Sequence, residues 1–399
     1  MKDKKILVGI TGGIAAYKAA ELVRIIVKNG ADATVAMTSN ATRFITPLTL
    51  ETLCGKRVVW KMFDGGSVPL EHISWGQDQD LIIIAPATAN FLSKMAHGLA
   101  DDFLSTVVLA ASAPILACPS MNSRMFNNEA VQNNIRILTQ RGIEVMKPDE
   151  GELACNTVGP GRLPDPEKIA EQARFILSRK DLASLKILVT AGATIEPIDP
   201  VRYISNRSSG KMGYAVAKAA RMRGASVILV SGPTYLPPPH GIRLLAVETA
   251  EEMRKVVIEH SAESDIIIKA AAVSDYRPRE SSMHKLKKGR DSVSLDLVKN
   301  TDILEELGRA KSTYGYLLVG FAAETEDLIL NARRKMEEKN LDLIVANDVS
   351  RVDSGFRTET NLVKIIYSDG RMDELPLLTK DEVADQLLDR IISLKERKA

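Results

Sequence analysis

The chain has 399 residues, of which 45% are hydrophobic and 26% are charged, and its formal net charge is +2. This composition is typical of a soluble globular protein, and the length exceeds that of one ordinary core, so two domains are expected. The near-neutral charge comes without a long basic tract and therefore does not indicate a nucleic-acid partner.

Cysteine usage and the N-terminal residues indicate the compartment. Cys54, Cys118 and Cys155 include no CxxC pair, which argues against a disulfide framework or a zinc site and indicates a reducing environment. The first apolar run is short and leads into Gly12 and Gly13, which predicts a strand and not a signal peptide. No stretch approaches the length needed to span a bilayer. We expect a cytoplasmic protein without a membrane partner.

Two strands that run into glycine turns divide the chain. Residues 6–10 precede Gly12 and Gly13, and residues 186–190 precede Gly192. Each opening begins a new alternation of apolar strands and helices, which predicts a parallel sheet covered on both faces. We predict two Rossmann-like α/β domains, 1–181 and 182–399. Strands are predicted near residues 5–10, 32–37, 80–85, 114–118, 142–146, 186–190, 226–231, 265–270, 316–321 and 341–346.

The first glycine turn suits a phosphate group. Gly12, Gly13 and Ile14 place small residues and backbone N–H groups at the start of a predicted helix. The spacing is not that of the dinucleotide fingerprint, and no acidic residue closes the following strand, so FMN is more plausible than NAD. Tight packing between strand and helix is the alternative reason for such a turn.

The third strand runs into the small-residue turn APATAN, which contains Ala85, Thr88 and Asn90. Such a turn can approach a planar ring and its ribityl chain closely. The alternative is that Thr88 or Asn90 caps the next helix, and the two interpretations are compatible.

Three further side chains are candidates for chemistry. His72 is placed in a loop among aromatic and polar neighbours, although a single histidine is more often structural. Asn122, in the segment PSMN, could hold a carboxylate or could cap the next helix. Cys155 lies in the glycine-rich stretch GELACNTVGPGR, where a mobile flap could deliver a proton; an ordinary exposed loop cysteine is the alternative.

The first half resembles the flavin-dependent cysteine decarboxylases over residues 5–178. The resemblance rests on four features that occur in the same order as in that family: His72, APATAN, PSMN and the LAC…GxGR flap. The resemblance is strongest to the phosphopantothenoylcysteine decarboxylase half of bifunctional coenzyme A biosynthesis enzymes. It implies a flavodoxin-like flavoprotein domain in which His72 is the base, Asn122 binds the substrate carboxylate and Cys155 is the acid. It further implies that FMN oxidises the cysteinyl unit to a thioaldehyde-like species, which loses carbon dioxide before hydride and a proton are returned.

The second half carries its own set of motifs at predicted turns. The segment NRSSGKMG, which begins at Asn206, precedes a helix and suits an anion, although a serine-capped helix is the alternative. A strand enters AAAVSDY, which contains Asp275. The basic segment KLKK, with Lys285 and Lys287, suits a mobile phosphate clamp or an ordinary solvated surface.

Together with KNTDIL and GFAAET, these motifs resemble the phosphopantothenate–cysteine ligase half of the same enzymes, over about residues 184–395. The resemblance implies a nucleotide-binding domain in which CTP activates a carboxylate as an acyl-cytidylate, which cysteine attacks with release of CMP. It places Asn206 at the acyl phosphate and Lys285 on the clamp. By the same motifs the CTP-binding residues are Asp275, Lys285, Lys287, Asn300, Thr301, Asp302, Ile303, Phe321, Lys335 and Lys339.

Three positions depart from the family pattern. Asn156 replaces the glycine after the flap cysteine, Ala193 replaces a glycine in the TAGGT turn, and Thr301 replaces the proline of KNPDIL. Asn tolerates positive φ, so the flap geometry is expected to survive. At the other two positions the backbone freedom near the ligase site changes, and nucleotide affinity is expected to change more than the chemistry.

The combined hypothesis is a bifunctional enzyme of coenzyme A biosynthesis that uses FMN, and CTP with Mg²⁺. No carboxylate cluster in the sequence identifies the metal ligands. The resemblance implies small-molecule substrates and a large homo-oligomer of flavin-domain trimers and ligase-domain dimers. The alternatives are a decarboxylase of C-terminal peptide cysteines, a non-catalytic regulatory relative and, more distantly, an NAD dehydrogenase.

Overall fold

The computed structural model describes residues 1–63, 70–152, 158–287, 294–324, 327–348 and 358–398. Contacts within the chain divide it into two compact units, Met1–Ser178 and Arg179–Ala399. None of the described helices is both long enough and apolar enough to cross a membrane.

Unit 1 alternates strands and helices from its first residues. Its elements are β1 (Lys5–Ile10), α1 (Tyr17–Lys28), β2 (Asp32–Met37), α2 (Pro47–Cys54), α3 (Glu71–Gln77), β3 (Leu81–Ala87), α4 (Ala89–His97), α5 (Phe103–Leu109), β4 (Ile115–Pro119), α6 (Ser123–Phe126), α7 (Glu129–Gln140), β5 (Glu144–Val145), β6 (Asp149–Glu152), β7 (Val158–Arg162) and α8 (Pro166–Leu177). A single 3₁₀ turn, Ile14–Ala16, leads into α1.

The five predicted strands of unit 1 form one parallel sheet in the order β2-β1-β3-β4-β5. This is the flavodoxin-like order, which has its topological switch point between β1 and β3. Alternate residues of β1 face opposite layers: Ile6 and Val8 pack in the core that contains α1 and α8, whereas Leu7 packs in the core that contains α4 and α5. The predicted α/β fold and its flavodoxin-like class are confirmed for this unit.

Unit 2 is larger and contains more short strands. Its elements are β8 (Lys186–Ala191), β9 (Ile195–Pro197), β10 (Tyr203–Ser205), α9 (Lys211–Met222), β11 (Ser226–Ser231), β12 (Arg243–Ala246), α10 (Ala250–Ser261), β13 (Ile266–Lys269), β14 (Tyr276–Pro278), β15 (Leu297–Lys299), α11 (Ile303–Tyr314), β16 (Leu317–Glu324), α12 (Leu328–Glu338), β17 (Leu343–Asp348), β18 (Thr360–Asn361), β19 (Val363–Tyr367), β20 (Met372–Glu374), β21 (Leu378–Thr379) and α13 (Lys380–Lys398).

The main sheet of unit 2 has the order β12-β11-β8-β13-β16-β17-β19-β20. Its first six strands are parallel and follow the Rossmann order, with the switch point between β8 and β13. The predicted parallel sheet is confirmed over these six strands, and at the other edge the sheet continues with β19 and β20, which the sequence did not predict and which are antiparallel to their neighbours. Antiparallel neighbours need no crossover helix, so alternating strands and helices cannot reveal them in the sequence.

The two faces of this sheet are covered by different helices. Helices α9 and α13 pack with Ile187, Val189 and Ile268, whereas α10, α11 and α12 pack with Leu188 and Ile267. The carboxyl ends of β8 and β13 therefore open between two helical layers, which is where ligands bind in open α/β sheets.

Candidate active sites

In unit 1, the loops that follow β1 and β3 are joined at the switch point by one threonine. The Thr11 hydroxyl donates to the carbonyl oxygen of Pro86 at 2.7 Å and accepts from the backbone N–H of Thr88 at 3.0 Å. Thr88 in turn caps α4 by accepting from the N–H of Phe91. The capping interpretation of Thr88 is thus confirmed, while Asn90 lies exposed in the first turn of the helix.

The glycine turn is packed against the loop that follows β2. A Cβ atom at Gly12 would lie 2.4 Å from Cβ of Asn40, so no larger residue fits there. The short helix that begins at Ile14 has no side-chain cap, and Ile14 itself is exposed. Ala85 is fully buried in the core beneath the turn. Within the turn the Gly13 N–H donates to the carbonyl oxygen of Thr11 at 3.0 Å, so a phosphate group would have to be held by the N–H groups of the residues that follow.

Thr38 is a residue of this crevice that the sequence did not single out. Its backbone N–H donates to the carbonyl oxygen of Ile10 at 3.0 Å, which places it beside the carboxyl end of β1. Its hydroxyl is buried and has no hydrogen-bond partner among the described residues. A buried hydroxyl without a partner is costly, and a polar ligand at the switch point would satisfy it. The residues of this crevice thus fit a flavin nucleotide.

The PSMN segment contacts the hairpin of β6 and β7. The N–H of Met121 donates to the carbonyl oxygen of Gly161 at 3.0 Å. Gly161 has φ +138°, and a Cβ atom there would lie 2.1 Å from the Met121 carbonyl oxygen. Asn122 caps α6 by accepting from the N–H of Arg124 at 2.8 Å, which confirms the capping alternative for its side chain.

Cys155 lies outside the described residues. The residues on either side of its loop are described: Glu152 pairs with Val158, and Gly151 pairs with Gly159, in an antiparallel register. The contact between Met121 and Gly161 places this hairpin beside the segment that carries Asn122.

The placement of His72 in a loop is wrong, because residues 71–77 form the helix α3. Close packing on α5 stabilises this short helix: Trp75 meets Phe103 edge to face at 5.4 Å, and Gly76 lies against the backbone of Val107. Short helices owe their stability to such packing more than to propensity, so the sequence pattern does not reveal them. His72 is half-buried and takes no part in the hydrogen bonds described above.

Unit 2 contains a cavity of about 560 Å³ at its switch point. Eight predicted site residues line it: Asn206, Asp275, Asn300, Thr301, Asp302, Ile303, Phe321 and Lys335. Lys285, Lys287 and Lys339 are not part of its wall.

Two asparagines hold the loop that follows β13. Asn206 donates from Nδ2 to the carbonyl oxygen of Ala272 at 3.2 Å, and Asn300 donates from Nδ2 to that of Ser274 at 2.8 Å. The backbone N–H of Asn300 also donates to the carbonyl oxygen of Asp275 at 2.8 Å. The hydroxyl of Ser274 is buried in the cavity wall without a partner among the described residues. The loop is rigidly placed and offers an unsatisfied polar group to a ligand.

Asp302 caps α11 and is fixed from outside the cavity. It accepts from the backbone N–H groups of Leu304 and Glu305 at 2.9 and 3.0 Å, and Lys339 pairs with it at 3.1 Å. Burial alone would raise the pKa of Asp302, but the Glu305 N–H and the Lys339 ammonium outweigh it and lower that pKa. Lys339 therefore holds Asp302 in position from outside the cavity.

Inside the cavity, Lys335 donates to the carbonyl oxygen of Phe321 at 3.0 Å.

The basic segment with Lys285 and Lys287 is exposed and is anchored at its middle residue. Leu286 donates its N–H to Asp199 at 3.1 Å, and Arg202 donates to the Leu286 carbonyl oxygen at 2.7 Å. Burial opposes ionisation of Asp199, yet the N–H groups of Val201, Leu286 and Arg202 lower its pKa to about 2. The anchor is thus a carboxylate that stays ionised at neutral pH, and the sequence motifs did not include it.

The cavity wall carries more cations than the sequence predicted. Arg207, Lys211, Lys269, Lys299, Lys335 and Lys380 line it, against the carboxylates Asp275 and Asp302. Burial, and then the nearby Lys211 ammonium, lower the pKa of Lys380 to about 8. Such a wall suits a polyanion. Across the described residues, no group of three or more His, Cys, Asp or Glu side chains could hold a metal ion.

Ala193 and Thr301 are two of the positions that depart from the family pattern, and neither has a strained backbone conformation. Gly192 has φ +78° and keeps the positive φ that the turn requires. Ala193 is buried without positive φ and forms an isolated bridge with Ala272. Thr301 is exposed at the cavity rim.

Comparisons with known proteins agree with this architecture. Residues 1–177 match the family described as Flavoprotein, and residues 182–394 match the DNA/pantothenate metabolism flavoprotein C-terminal domain. The chain is 44% identical over 402 residues to the coenzyme A biosynthesis bifunctional protein CoaBC of Bacillus subtilis (strain 168), covering 100% of this chain and 98% of the relative. It is also 44% identical over 403 residues to the protein of that name from Escherichia coli (strain K12), covering 100% and 99%.

Among solved structures, the crystal structure of the C-terminal domain of a coenzyme A biosynthesis bifunctional protein CoaBC is 44% identical, with a TM-score of 0.47. The match covers 55% of this chain and 99% of that chain. From the family matches and the full-length relatives, the chain belongs to the family of coenzyme A biosynthesis bifunctional proteins.

Proposed function

We propose that the chain performs two consecutive reactions of coenzyme A biosynthesis. Unit 2 joins phosphopantothenate to cysteine through an acyl-cytidylate formed from CTP, and unit 1 decarboxylates the product to 4'-phosphopantetheine. The observation that carries the proposal is that eight motif residues of unit 2 line the cavity at the switch point of its sheet, while in unit 1 Thr11 joins the glycine turn to the APATAN turn at the switch point between β1 and β3. We expect both reactions in the cytoplasm.

In unit 1 we assign FMN to the crevice between β1 and β3. Gly12, Gly13 and Ile14 would form the turn that holds its phosphate, and Thr88 and Asn90, with the unsatisfied Thr38 hydroxyl, would contact the rest, while the predicted contact residue Ala85 lies buried beneath the turn and would support it from the core. Bound FMN supplies the redox chemistry that makes loss of carbon dioxide possible.

The protein's own part is to orient the substrate and to move protons. Asn122, on the PSMN segment beside the β6–β7 hairpin, would hold the substrate carboxylate without adding charge. His72 would act as the base, and the Cys155 thiol would protonate the product carbon. The observed Met121–Gly161 contact supports this proposal because it brings the base of the flap to the Asn122 segment.

In unit 2 the cationic cavity would hold the triphosphate, with Mg²⁺ bound mainly by the phosphate oxygens. Asn206 would contact the acyl phosphate while its amide holds the Ala272 loop. Lys285 and Lys287 would close over the phosphates, pivoting on the Asp199 anchor.

The proposed assembly of flavin-domain trimers and ligase-domain dimers rests on the family resemblance. Sedimentation of the purified protein at several concentrations measures it directly.

The test is a single reaction with phosphopantothenate, cysteine, CTP and Mg²⁺ in which CMP and carbon dioxide are both followed. We expect CMP to appear first and carbon dioxide to follow it, with flavin absorbance in the purified protein. If carbon dioxide came only from a peptide with a C-terminal cysteine, the peptide decarboxylase alternative would replace this proposal. Folded protein without flavin would favour the NAD dehydrogenase, whereas flavin binding with release of neither CMP nor carbon dioxide would leave the regulatory alternative.

A further inference from the structure

Lys269 is a buried lysine at the end of an otherwise apolar strand. Ile266, Ile267 and Ile268 are fully buried, and Lys269 is only 7% exposed. Because side chains alternate along a strand, Lys269 shares the face of Ile267, toward α10, α11 and α12. The residue also lines the cavity at the switch point.

The ammonium group of Lys269 meets no oxygen acceptor in the part of the chain that the structure describes. Its hydrogen-bond contact there is the thioether sulfur of Met253, at 3.9 Å. A sulfur is a weak acceptor, and a buried cation without a proper partner is costly. An acceptor supplied by a ligand would remove that cost.

The charged groups around Lys269 do not compensate for its burial. Burial lowers its pKa to about 7, Asp302 at the start of α11 partly opposes this, and Lys335 of α12 lowers it further. From α10 the facing residue is the uncharged Met253. Above neutral pH the amine is therefore largely uncharged in the free protein.

We propose that Lys269 binds a phosphate oxygen of the nucleotide in the cavity and takes up a proton when the nucleotide arrives. The inference rests on the proposed nucleotide-dependent ligase function and adds a binding residue outside the motifs. A phosphate is favoured over a neutral base carbonyl because Lys269 lies next to a second cation, Lys335, in a wall where cations outnumber carboxylates. Only an anionic ligand offsets both charges and makes the charge-assisted hydrogen bond strong.

The proton linkage has a definite direction. An anion raises the pKa of the lysine that it contacts, so near pH 8 the complex takes a proton from the buffer. Near pH 6 the lysine is already charged in the free protein, and this uptake disappears. Nucleotide affinity therefore falls as pH rises above about 7, the pKa of free Lys269. Lys380 lies in the same wall and titrates nearby, so only the difference between wild type and a Lys269 variant isolates Lys269.

The experiment is calorimetric titration of the full-length protein with CTP and Mg²⁺ at about pH 8, in two buffers that differ in ionisation enthalpy. Lys269→Met keeps the length and removes the charge, and Lys255→Met, at an exposed position on α10, is the matched control. We expect Lys269→Met to bind CTP roughly tenfold or more weakly and to lose up to about one proton of uptake. The control is expected to match wild type.

Each outcome decides a claim. Equal affinity and equal proton uptake in wild type and Lys269→Met would overturn the inference and leave the ligase proposal standing. Weaker binding with unchanged uptake would assign Lys269 to a neutral acceptor and refute the phosphate contact. A folded wild type that does not bind CTP would remove the ligase proposal and the inference together. Thermal unfolding verifies that the variant folds, and Lys269→Gln replaces it if it does not.

Discussion

Gly161 shows how one residue connects the β6–β7 hairpin to the PSMN segment. Its φ of +138° is a conformation that side chains rarely adopt, and its Cα faces the Met121 carbonyl oxygen so closely that a methyl group would lie 2.1 Å away. The same residue accepts the hydrogen bond of the Met121 N–H. Backbone strain and steric exclusion therefore both require glycine at this position.

We predict that Gly161→Ala selectively damages the decarboxylation step. The added methyl group must displace the Met121 carbonyl, at a cost of about 1–3 kcal/mol, and so moves the flap away from Asn122. Carbon dioxide release should fall at least tenfold while CMP release is unchanged. Gly142→Ala is the matched control, because Gly142 also has positive φ but has open space around it. Equal losses in both variants would show that strain alone, not this contact, matters.

For single residues, the sequence predicted site residues in turns better than site residues at the ends of strands. Asn206, Asp275 and Asn300 lie in turns after strands, and the resemblance of their motifs to the family predicted them as site residues; all three line the cavity. Lys269 ends an isoleucine strand, where a lysine is ordinarily read as a surface residue, and Thr38 precedes no recognisable motif. Their significance depends on burial, which only the packing of separate segments creates.

At the scale of elements, helix α11 is fixed at its start by Asp302. This carboxylate caps the first turn and receives the Lys339 ammonium from the C-terminal end of α12. A carboxylate there also favours the positive end of the helix dipole. One residue thus places the KNTDIL segment at the cavity wall and ties two helices together.

We predict that Asp302→Ala destabilises unit 2 by about 1 kcal/mol or more, and that Asp302→Asn costs less because asparagine still caps the helix. The folded carboxyl has a lowered pKa, so its ionic contribution is present above the unfolded pKa and is lost as pH falls through the folded value. Denaturant unfolding at neutral and acid pH measures this. The difference between wild type and Asp302→Asn should vanish in acid. A difference that persists there would contradict the ionic role of Asp302.

The ten strands predicted from apolar runs are all present. Most of them are buried runs that leave a clear signal, whereas β5 is only two residues long and is not buried. In the main sheet of unit 2 the sequence did not predict β12, β19 and β20. Of these, β12 and β20 have four and three residues and carry charged side chains. β19 has five residues but pairs antiparallel with β17, outside the alternation of strands and helices on which the prediction was based. Helix α3 was missed for a related reason: its stability comes from packing on α5.

At the scale of the whole molecule, two sheets of different strand order each open a site at their own switch point. The flavodoxin-like order of unit 1 and the Rossmann order of unit 2 lead to separate crevices, and the hydrogen bonds described for each join residues of one unit only. The motifs predicted this division of function. They could not predict the charge of the ligase cavity, since its cations come from widely separated segments.

The central claim is that one chain carries two independent sites that act in sequence, and a pair of variants tests it most directly. With phosphopantothenate, cysteine, CTP and Mg²⁺ supplied, Cys155→Ser should release CMP at the wild-type rate and form no 4'-phosphopantetheine. Asn206→Ala should lose CMP release yet decarboxylate added phosphopantothenoylcysteine normally. If either substitution abolished both activities in a folded protein, the account of two separate sites would be contradicted.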